Sequence, residues 1–383
     1  MKILINTAHQ RFGGAIQVAL SFIYECRNFP EHDYCVWVGP GVGKSLREED
    51  FPANFHFRHF NFGRISLSKT FRINQRLRAE EKKVRPDVVI STSGPTYFHS
   101  RAPQVIGFNL PLYIYPESPF VQRLSAYRKV RMALKKQLHY YFFKRDAQAF
   151  VVQTDDVNQR VRKALNTDQV FTVTNTHNGF YHDWKAYPPK LPPRQQGDVR
   201  LLTLSAWYPH KNLDLIPQVR EVLRREGKIE VTFVLTLPEA DFDRHFSAAG
   251  QKEGIINIGP VKPKECPSLY NECDLMFLPT LAECFSASYP EAMVMERPII
   301  TTDLGFARSI CGEAALFFPP RNARAAARQI ERLAADAALQ EELIRKGRER
   351  LKAFDTPPQR AEKYLSICRK LAEGTLQPAL VRG

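Results

Sequence analysis

The chain has little that would mark it as secreted, membrane-spanning or metal-bound. Its seven cysteines (Cys26, Cys35, Cys266, Cys273, Cys284, Cys311, Cys368) are scattered, odd in number and without a CxxC pair. Neither a disulfide framework nor a zinc site is expected, and a reducing cytosol fits this usage. No apolar run approaches the ~20 residues a membrane helix needs. The chain opens on the strand-like MKILIN rather than on a basic-then-apolar leader, so no secretory signal is expected. The motifs GxxxxGK[ST], HExxH and GxSxG are absent, which removes P-loop, zincin and serine-hydrolase chemistry. A lone DxD, Asp241 and Asp243, lies in the charged helix-like stretch PEADFDRHF and reads as a solvated face. There is no solenoid-period repeat and no low-complexity tract.

What is present is globular. The 383 residues are 44% hydrophobic and 25% charged, enough for two domains and too many for one ordinary core. The net charge of +15 is uneven: residues 1–190 hold 28 Lys+Arg against 15 Asp+Glu, the remainder 27 against 25. A basic first half points to an anionic partner, whether a membrane surface, a phosphorylated acceptor or nucleic acid, or serves solubility alone.

Apolar runs alternate with helical-period stretches. KILIN, YCVWVG, PDVVIST, PQVIGFN and AFVVQT read as buried strands. After the Pro-rich YPPKLPPRQQG at 187–197, VRLLTLSAW, IEVTFVLTL, GIINIGP, DLMFLPT, RPIITT and ALFFPP repeat the rhythm, and 322–373 is helical and charged. This alternation predicts an α/β chain of two doubly wound, Rossmann-like domains. The strand carboxyl ends of each would face a central cleft, where ligands bind such sheets. The expected limits are 1–190 for the first domain and 197–356 for the second.

The post-strand loops carry the candidate chemistry. In PTLAECFSASYPEAMVMERPIITTD, Glu283 falls just past a strand and Glu291 in the first turn of an expected helix, which Ser286 or Ser288 could cap and Pro290 could begin. Carboxylates only accept hydrogen bonds, so two of them beside a donor-rich helix start suit a polyhydroxylated ligand. One would take a sugar hydroxyl and the other a ribose diol. The bland alternative is two acids favoured by the helix dipole. In LSAWYPHKNLDL, Lys211 is expected at a helix start, a poor place for a mere surface cation and a good one for meeting a diphosphate; Asn212 could cap or point into the site. Gly13 and Gly14 in HQRFGGAIQ permit close backbone approach to a ligand or a simple tight turn. They do not form GxGxxG, so no dinucleotide fingerprint exists.

Residues 118–146 place Leu124, Tyr127, Val130, Leu134, Leu138 and Tyr141 at helical spacing among Arg123, Arg128, Lys129, Arg131, Lys135, Lys136, Lys144 and Arg145. Such a helix either seeks an anionic membrane surface or packs its apolar face on the sheet. The basic run at 72–85 could add to the same face.

Taken together, the E-x7-E pair Glu283 and Glu291 with EAM and RPIITTD in register, HKNLDL around Lys211, and THNGF at 176–180 resemble the retaining nucleotide-sugar glycosyltransferases of family four, which have the GT-B architecture. The resemblance covers the whole chain in layout, with its specific motifs in the second domain. It implies that Glu283 touches donor-sugar hydroxyls and Glu291 the ribose hydroxyls. Backbone N–H groups of Phe285, Ser286 and Ala287 would hold sugar or phosphate. Lys211 would neutralise the departing diphosphate, and Gly13 and Gly14 would line the cleft near the phosphate. The anomeric configuration would be kept, the leaving phosphate helping to deprotonate the acceptor, with no protein nucleophile, metal or other cofactor. The last segment, 357–383, would cross back onto the first domain. Several positions depart from the pattern. Ala206 stands where an arginine is usual, Ser286 replaces a glycine, and Glu296-Arg297 replace the usual residues before Pro298. The usual first-domain histidine has no counterpart, Asn109 in GFNLPLYIYPE being the nearest polar candidate.

These readings converge on a glycosyltransferase at the inner face of the plasma membrane. It would move a hexose or deoxyhexose from a nucleotide-diphosphate sugar to a lipid-linked or polysaccharide acceptor in O-antigen- or capsule-type glycan assembly. The Arg123–Arg145 region would meet the membrane, and no nucleic acid is expected as a partner. A sugar-nucleotide epimerase of the same fold and a nucleic-acid-binding protein are the alternatives.

Overall fold

A computed structural model describes residues 1–377, apart from residues 12, 64, 228 and 249. The chain divides into two units. The first takes Met1–Ile114, Leu124–Asn175 and Asp355–Gly383, and the second takes Tyr115–Arg123 and Thr176–Phe354. The chain thus passes between units at residues 175 and 176, ahead of the Pro-rich segment, and a nine-residue piece of the first half belongs with the second unit.

The first unit is built on β1 (Lys2–Asn6), β2 (Asp33–Val38), β3 (Phe55–His59), β4 (Val88–Ser91), β5 (Gln104–Gly107), β6 (Ala149–Val152) and β7 (Val170–Thr172). They form one parallel sheet in the order β3-β2-β1-β4-β5-β6-β7. The second unit has β8 (Val199–Thr203), β9 (Val231–Leu235), β10 (Ile255–Asn257), β11 (Leu275–Leu278), β12 (Ile299–Thr302) and β13 (Ala315–Phe318). These are also all parallel, in the order β10-β9-β8-β11-β12-β13. Every strand expected from an apolar run is present. A parallel sheet covered on both faces buries every side chain of its inner strands, so these strands read as continuous Val/Ile/Leu runs. The two strands not foreseen are β3, FHFRH, and β7, VFT. Both lie at sheet edges, are only partly buried and carry polar residues.

Both sheets grow outward from their first strand, then return to its other side, so β1/β4 and β8/β11 are switch points. There the loops after two adjacent strands diverge and leave a crevice at their carboxyl ends. The apolar core of the first unit includes Ile3, Ile5, Val36, Val88, Ile90 and Val105, and it takes in Ala361, Tyr364, Leu365 and Cys368 from helix Pro357–Ala372. That helix starts with a capping box between Thr356 and Gln359 and Pro357 in its first turn, the pairing that satisfies orphan N–H groups reciprocally. The remainder of the expected 357–383 element falls partly outside the described residues. In the second unit Leu201, Val219, Phe233, Phe277, Ile300 and Ile330 form one core. All seven cysteines are free and buried. Among the described residues no helix is long and apolar enough to cross a membrane.

The stretch 118–146 forms two helices, Pro119–Gln122 in the second unit and Ala126–Asp146 in the first. In the longer one His139, Tyr140, Phe142 and Phe143 are buried. The expected stripe instead stays largely outside: Tyr127 is 74%, Val130 60%, Leu134 69% and Tyr141 58% exposed, while Leu124 and Leu138 are half-buried. Leu67 and Phe71 on the second basic helix, Leu67–Val84, are exposed as well.

Candidate active site

The second switch point brings together residues far apart in the chain. Lys211 lies in the loop after β8 and Glu283 in the loop after β11, the two strands that flank the crevice. Lys211 Nζ donates to Glu283 Oε1 at 2.5 Å, with the two side chains only 15% and 10% exposed. Thr280 Oγ1 donates to the same carboxylate oxygen at 2.9 Å. Glu283 therefore has both a counter-ion and a neutral partner, an arrangement that orients the carboxylate as well as compensating its charge.

Local geometry around Lys211 differs from the expectation. The helix does not open there. A single 3-10 turn, Pro209–Lys211, ends at left-handed Asn212, φ 56°, a conformation asparagine tolerates better than most residues. Helix Leu215–Glu226 follows. Lys211 is thus held ahead of the helix and turned toward β11. Asn212 is buried, and its amide nitrogen has no hydrogen-bond partner among the described residues. The two loops are stitched together, with Leu281 N donating to His210 O at 2.7 Å. Ser118, on the excursion 115–123, donates to Leu281 O at 2.8 Å. The His210 ring lies edge-on to Phe120 and stacks with Tyr208. Burial holds its imidazole below the usual histidine range, against the opposing pull of Glu283.

Beyond Glu283 the chain enters helix Ser288–Val294 through Phe285, Ser286 and Ala287. The expected side-chain cap is not formed. Ala287 is the N-cap, and Ser288 Oγ donates to Leu204 O at 3.3 Å, tying the helix to the β8 loop. Tyr289 N and Glu291 N bond back to Ser286 O and Ala287 O. Ser286 is buried, and Phe285 packs edge-on against Phe354. Glu291 sits in the first turn, half-buried. Tyr270 Oη donates to its Oε2 at 3.4 Å, and the Tyr181 phenol bonds the same carboxylate. Desolvation pushes the Glu291 carboxyl up to about 7, the two phenols pulling the other way. Glu283 and Glu291 thus occupy distinct settings, one ion-paired and one between tyrosines.

The remaining candidates lie in the first unit. Gly13 has φ 90°, a backbone only glycine adopts without strain, and Gly14 is the N-cap of helix Ala15–Glu25. Both follow β1 and are exposed. Asn109 follows β5 and is half-buried. The DxD residues are on helix Glu239–His245, where Asp243 pairs with Lys252 and Asp241 with Arg244. Among the described residues no group of three or more His, Cys, Asp or Glu is placed to hold a metal. Thr280, Tyr181, Tyr270 and Ser118 were not foreseen. Thr280 was findable as the last polar residue after an apolar strand, but nothing in the sequence links the tyrosines to Glu291.

Residues 198–336, which span β8–β13, match the family model described as glycosyl transferases group 1. No curated protein matches. Among solved structures the chain is similar to HepE of Anabaena in complex with UDP and glucose, at 14% identity over 96% of this chain and 98% of that one, with a TM-score of 0.68. It is also similar to sucrose-phosphate synthase of Thermosynechococcus elongatus, at 14% over 97% and 99%, TM-score 0.70. The trehalose-phosphate synthase of Burkholderia vietnamiensis is a further match, at 11% over 98% and 98%, TM-score 0.72. The fold is GT-B, residues 198–336 of the second unit match the group 1 glycosyltransferase model, and the enzyme is a glycosyltransferase.

Proposed function

We propose that this glycosyltransferase moves a hexose or deoxyhexose, with retention of anomeric configuration, from a nucleotide-diphosphate sugar to a lipid-linked or polysaccharide acceptor. The setting would be the assembly of surface glycans of the O-antigen or capsule type, at the cytoplasmic face of the plasma membrane. The observation that carries the donor side is the Lys211–Glu283 pair held at the β8/β11 switch point. HepE, which has the same fold, was solved with UDP and glucose, which supports a nucleotide sugar as donor.

In this reading the arriving diphosphate gives Lys211 a second anion, and the ammonium is shared between it and Glu283. As the bond from the anomeric carbon to the diphosphate breaks, negative charge grows on the leaving oxygen, and a fixed ammonium stabilises that state more than the ground state. Glu283 then accepts from donor-sugar hydroxyls, with Thr280 keeping it oriented. The backbone N–H groups at Phe285, Ser286 and Ala287 hold sugar or phosphate, and Glu291 takes the ribose diol. The leaving phosphate receives the acceptor proton, and the reading calls for no metal cofactor.

The membrane side rests on helix Ala126–Asp146. Tyr127, Val130, Leu134 and Tyr141 form one exposed apolar stripe, and Arg128, Lys129, Arg131, Lys135 and Lys144 stand exposed beside it. Each basic residue near an anionic bilayer contributes about 1 kcal/mol.

A thermal-shift screen of UDP, GDP, ADP, dTDP and CDP tests the donor side. A ligand at 100 times its Kd stabilises by about 2.7 kcal/mol. One nucleotide is expected to stabilise wild type but not Glu291→Ala, and silence across the set refutes the reading. Co-sedimentation with phosphatidylglycerol vesicles tests the membrane side. Binding is expected to fall with salt and with Leu134→Asp, and equal binding to neutral phosphatidylcholine vesicles refutes it.

A further inference from the structure

Glu291 has no cation beside it, unlike Glu283. It is half-buried in the first turn of helix Ser288–Val294, and two other elements of the second unit face its carboxyl. The 3-10 turn Gly179–Tyr181 brings Tyr181, with the His177 ring edge-on behind it. Helix Cys266–Asn271 brings Tyr270 and Cys266. Helix Ala337–Leu351 packs on the same helix, but its Gly347 faces Met293 and its Arg348 pairs with Glu296 at 2.7 Å. Arg297 donates to Asn271 Oδ1 at 3.0 Å. Among the described residues, burial and the two phenols are what act on the Glu291 carboxyl.

The protons at this carboxyl can be counted. Burial holds both phenols well above the ordinary tyrosine range and raises the Cys266 thiol, so all three keep their hydrogens near pH 7. Tyr270 Oη has one hydrogen and two acceptors in reach, Ser288 O at 3.3 Å and Glu291 Oε2 at 3.4 Å. Tyr181 likewise meets both Glu291 and Cys266 Sγ. The thiol's own hydrogen goes to Lys262 O at 3.5 Å, which leaves the sulfur as an acceptor. Two phenolic hydrogens therefore serve a backbone carbonyl, a sulfur and a carboxyl group. A neutral carboxylic acid fits this count, because it brings a hydrogen of its own. A carboxylate in the same place lacks a counter-ion, which is costly away from water. The shift of this carboxyl up to about 7 agrees with that cost.

We infer that nucleotide binding drives a proton off Glu291, and that Tyr181 and Tyr270 are the positioning residues for this step. The inference rests on the donor reading above, in which Glu291 meets the ribose diol. Two neighbouring hydroxyls arrive there as donors, and a carboxylate can accept from both. The carboxyl O–H is the one bond broken, and its proton passes to solvent. The phenols turn their hydrogens from Ser288 O and Cys266 Sγ to the new carboxylate. Hydrogen bonds to the charged form favour it, so the phenols offset part of the burial and bring the step within reach of neutral pH. Because the nucleotide takes the deprotonated form, affinity grows as pH rises toward the carboxyl's own value and levels off above it.

Isothermal calorimetry across pH 5.5 to 8.5 tests this on the whole protein, with UDP, GDP, ADP and CDP in turn. The nucleotide's own phosphate titrates in the same range and contributes equally in every variant, so the result lies in the difference between proteins. Beyond that common part, wild-type affinity is expected to rise about tenfold between pH 5.5 and 7.5. In Glu291→Gln this extra rise is expected to vanish. Tyr181→Phe and Tyr270→Phe each remove a donor to the carboxylate, so the rise is expected to move to higher pH. Their loss of affinity is then greatest near pH 7 and narrows toward pH 8.5. A merely structural role would weaken binding equally at every pH, and that result overturns the assignment of the tyrosines. Nucleotide binding with the same pH profile in wild type and Glu291→Gln overturns the proton release and leaves the donor reading standing. No binding of any nucleotide by wild type sinks the donor reading and this inference with it. If the tyrosine variants do not fold, the wild-type and Glu291→Gln profiles decide alone.

Discussion

The Lys211–Glu283 contact makes a quantitative demand on the second unit. Both side chains are nearly enclosed, and the ammonium meets the carboxylate at 2.5 Å. Two unit charges about 4 Å apart attract by about 4 kcal/mol at an effective dielectric of ~20. Their desolvation offsets much of that while both are present. Removing one partner exposes the cost, roughly 3–5 kcal/mol for a buried pair. Among the described residues, Lys211→Met leaves Glu283 with the Thr280 hydroxyl as its hydrogen-bond partner, and Glu283→Gln takes the paired anion from a buried ammonium. Each single change is expected to destabilise by ~3 kcal/mol, which for a unit of this size lowers Tm by roughly 6–12 °C. The double variant removes both charges and should fall well short of the sum, with a coupling of ~2 kcal/mol or more. Thermal melts of the four proteins, with and without the stabilising nucleoside diphosphate, measure the cycle. Effects that add to within ~0.5 kcal/mol would show that the two groups do not act as a pair. Alanine at either position should also lower turnover ten- to a thousandfold, and wild-type rates in both would end their assignment.

Glu291 predicts a pH dependence. Its carboxyl is raised from 4.5 to about 7 by burial, so between those values the folded state binds more protons than the unfolded one. Stability then falls as pH rises through that window, and a Tm–pH profile should flatten there in Glu291→Gln; an unchanged slope would place the titration elsewhere. Thr280→Val removes the second hydrogen bond on Glu283 and should cost about 1 kcal/mol and weaken nucleotide binding by isothermal calorimetry, whereas unaltered affinity would mean that Lys211 alone orients the acid. Arg360, 2% exposed and bonded to Asn175 and Ser21, anchors the C-terminal helix in the first unit. Arg360→Ala should destabilise that unit by about 3 kcal/mol and speed proteolytic release of the helix, and resistance equal to wild type would show the apolar contacts suffice.

The strands were legible because parallel sheets bury both faces, and burial writes itself as unbroken apolar runs. All eleven such runs became strands, while the half-polar edge strands FHFRH and VFT left no comparable mark. Helix starts were less legible. Lys211 looked like a first-turn residue, but left-handed Asn212 ends a 3-10 turn before the helix begins, and a single backbone reversal of this kind has no composition signal. Ser288 looked like a cap, yet its hydroxyl is used by a loop 84 residues away in sequence.

Sequence by itself determined the alternation that makes two parallel sheets, and it put Glu283, Glu291 and Lys211 in post-strand loops. Those properties are local, set by periodicity over ten or so residues and by turn chemistry. Only the tertiary structure decided which loops meet. Strand order put β8 beside β11, so Lys211 reaches Glu283 across 72 positions of chain. It set Tyr181 and Tyr270 on Glu291, and it left the stripe from Tyr127 to Tyr141 uncovered instead of packing it. Partnership and burial depend on what the rest of the chain brings to a side chain, and no local pattern encodes that.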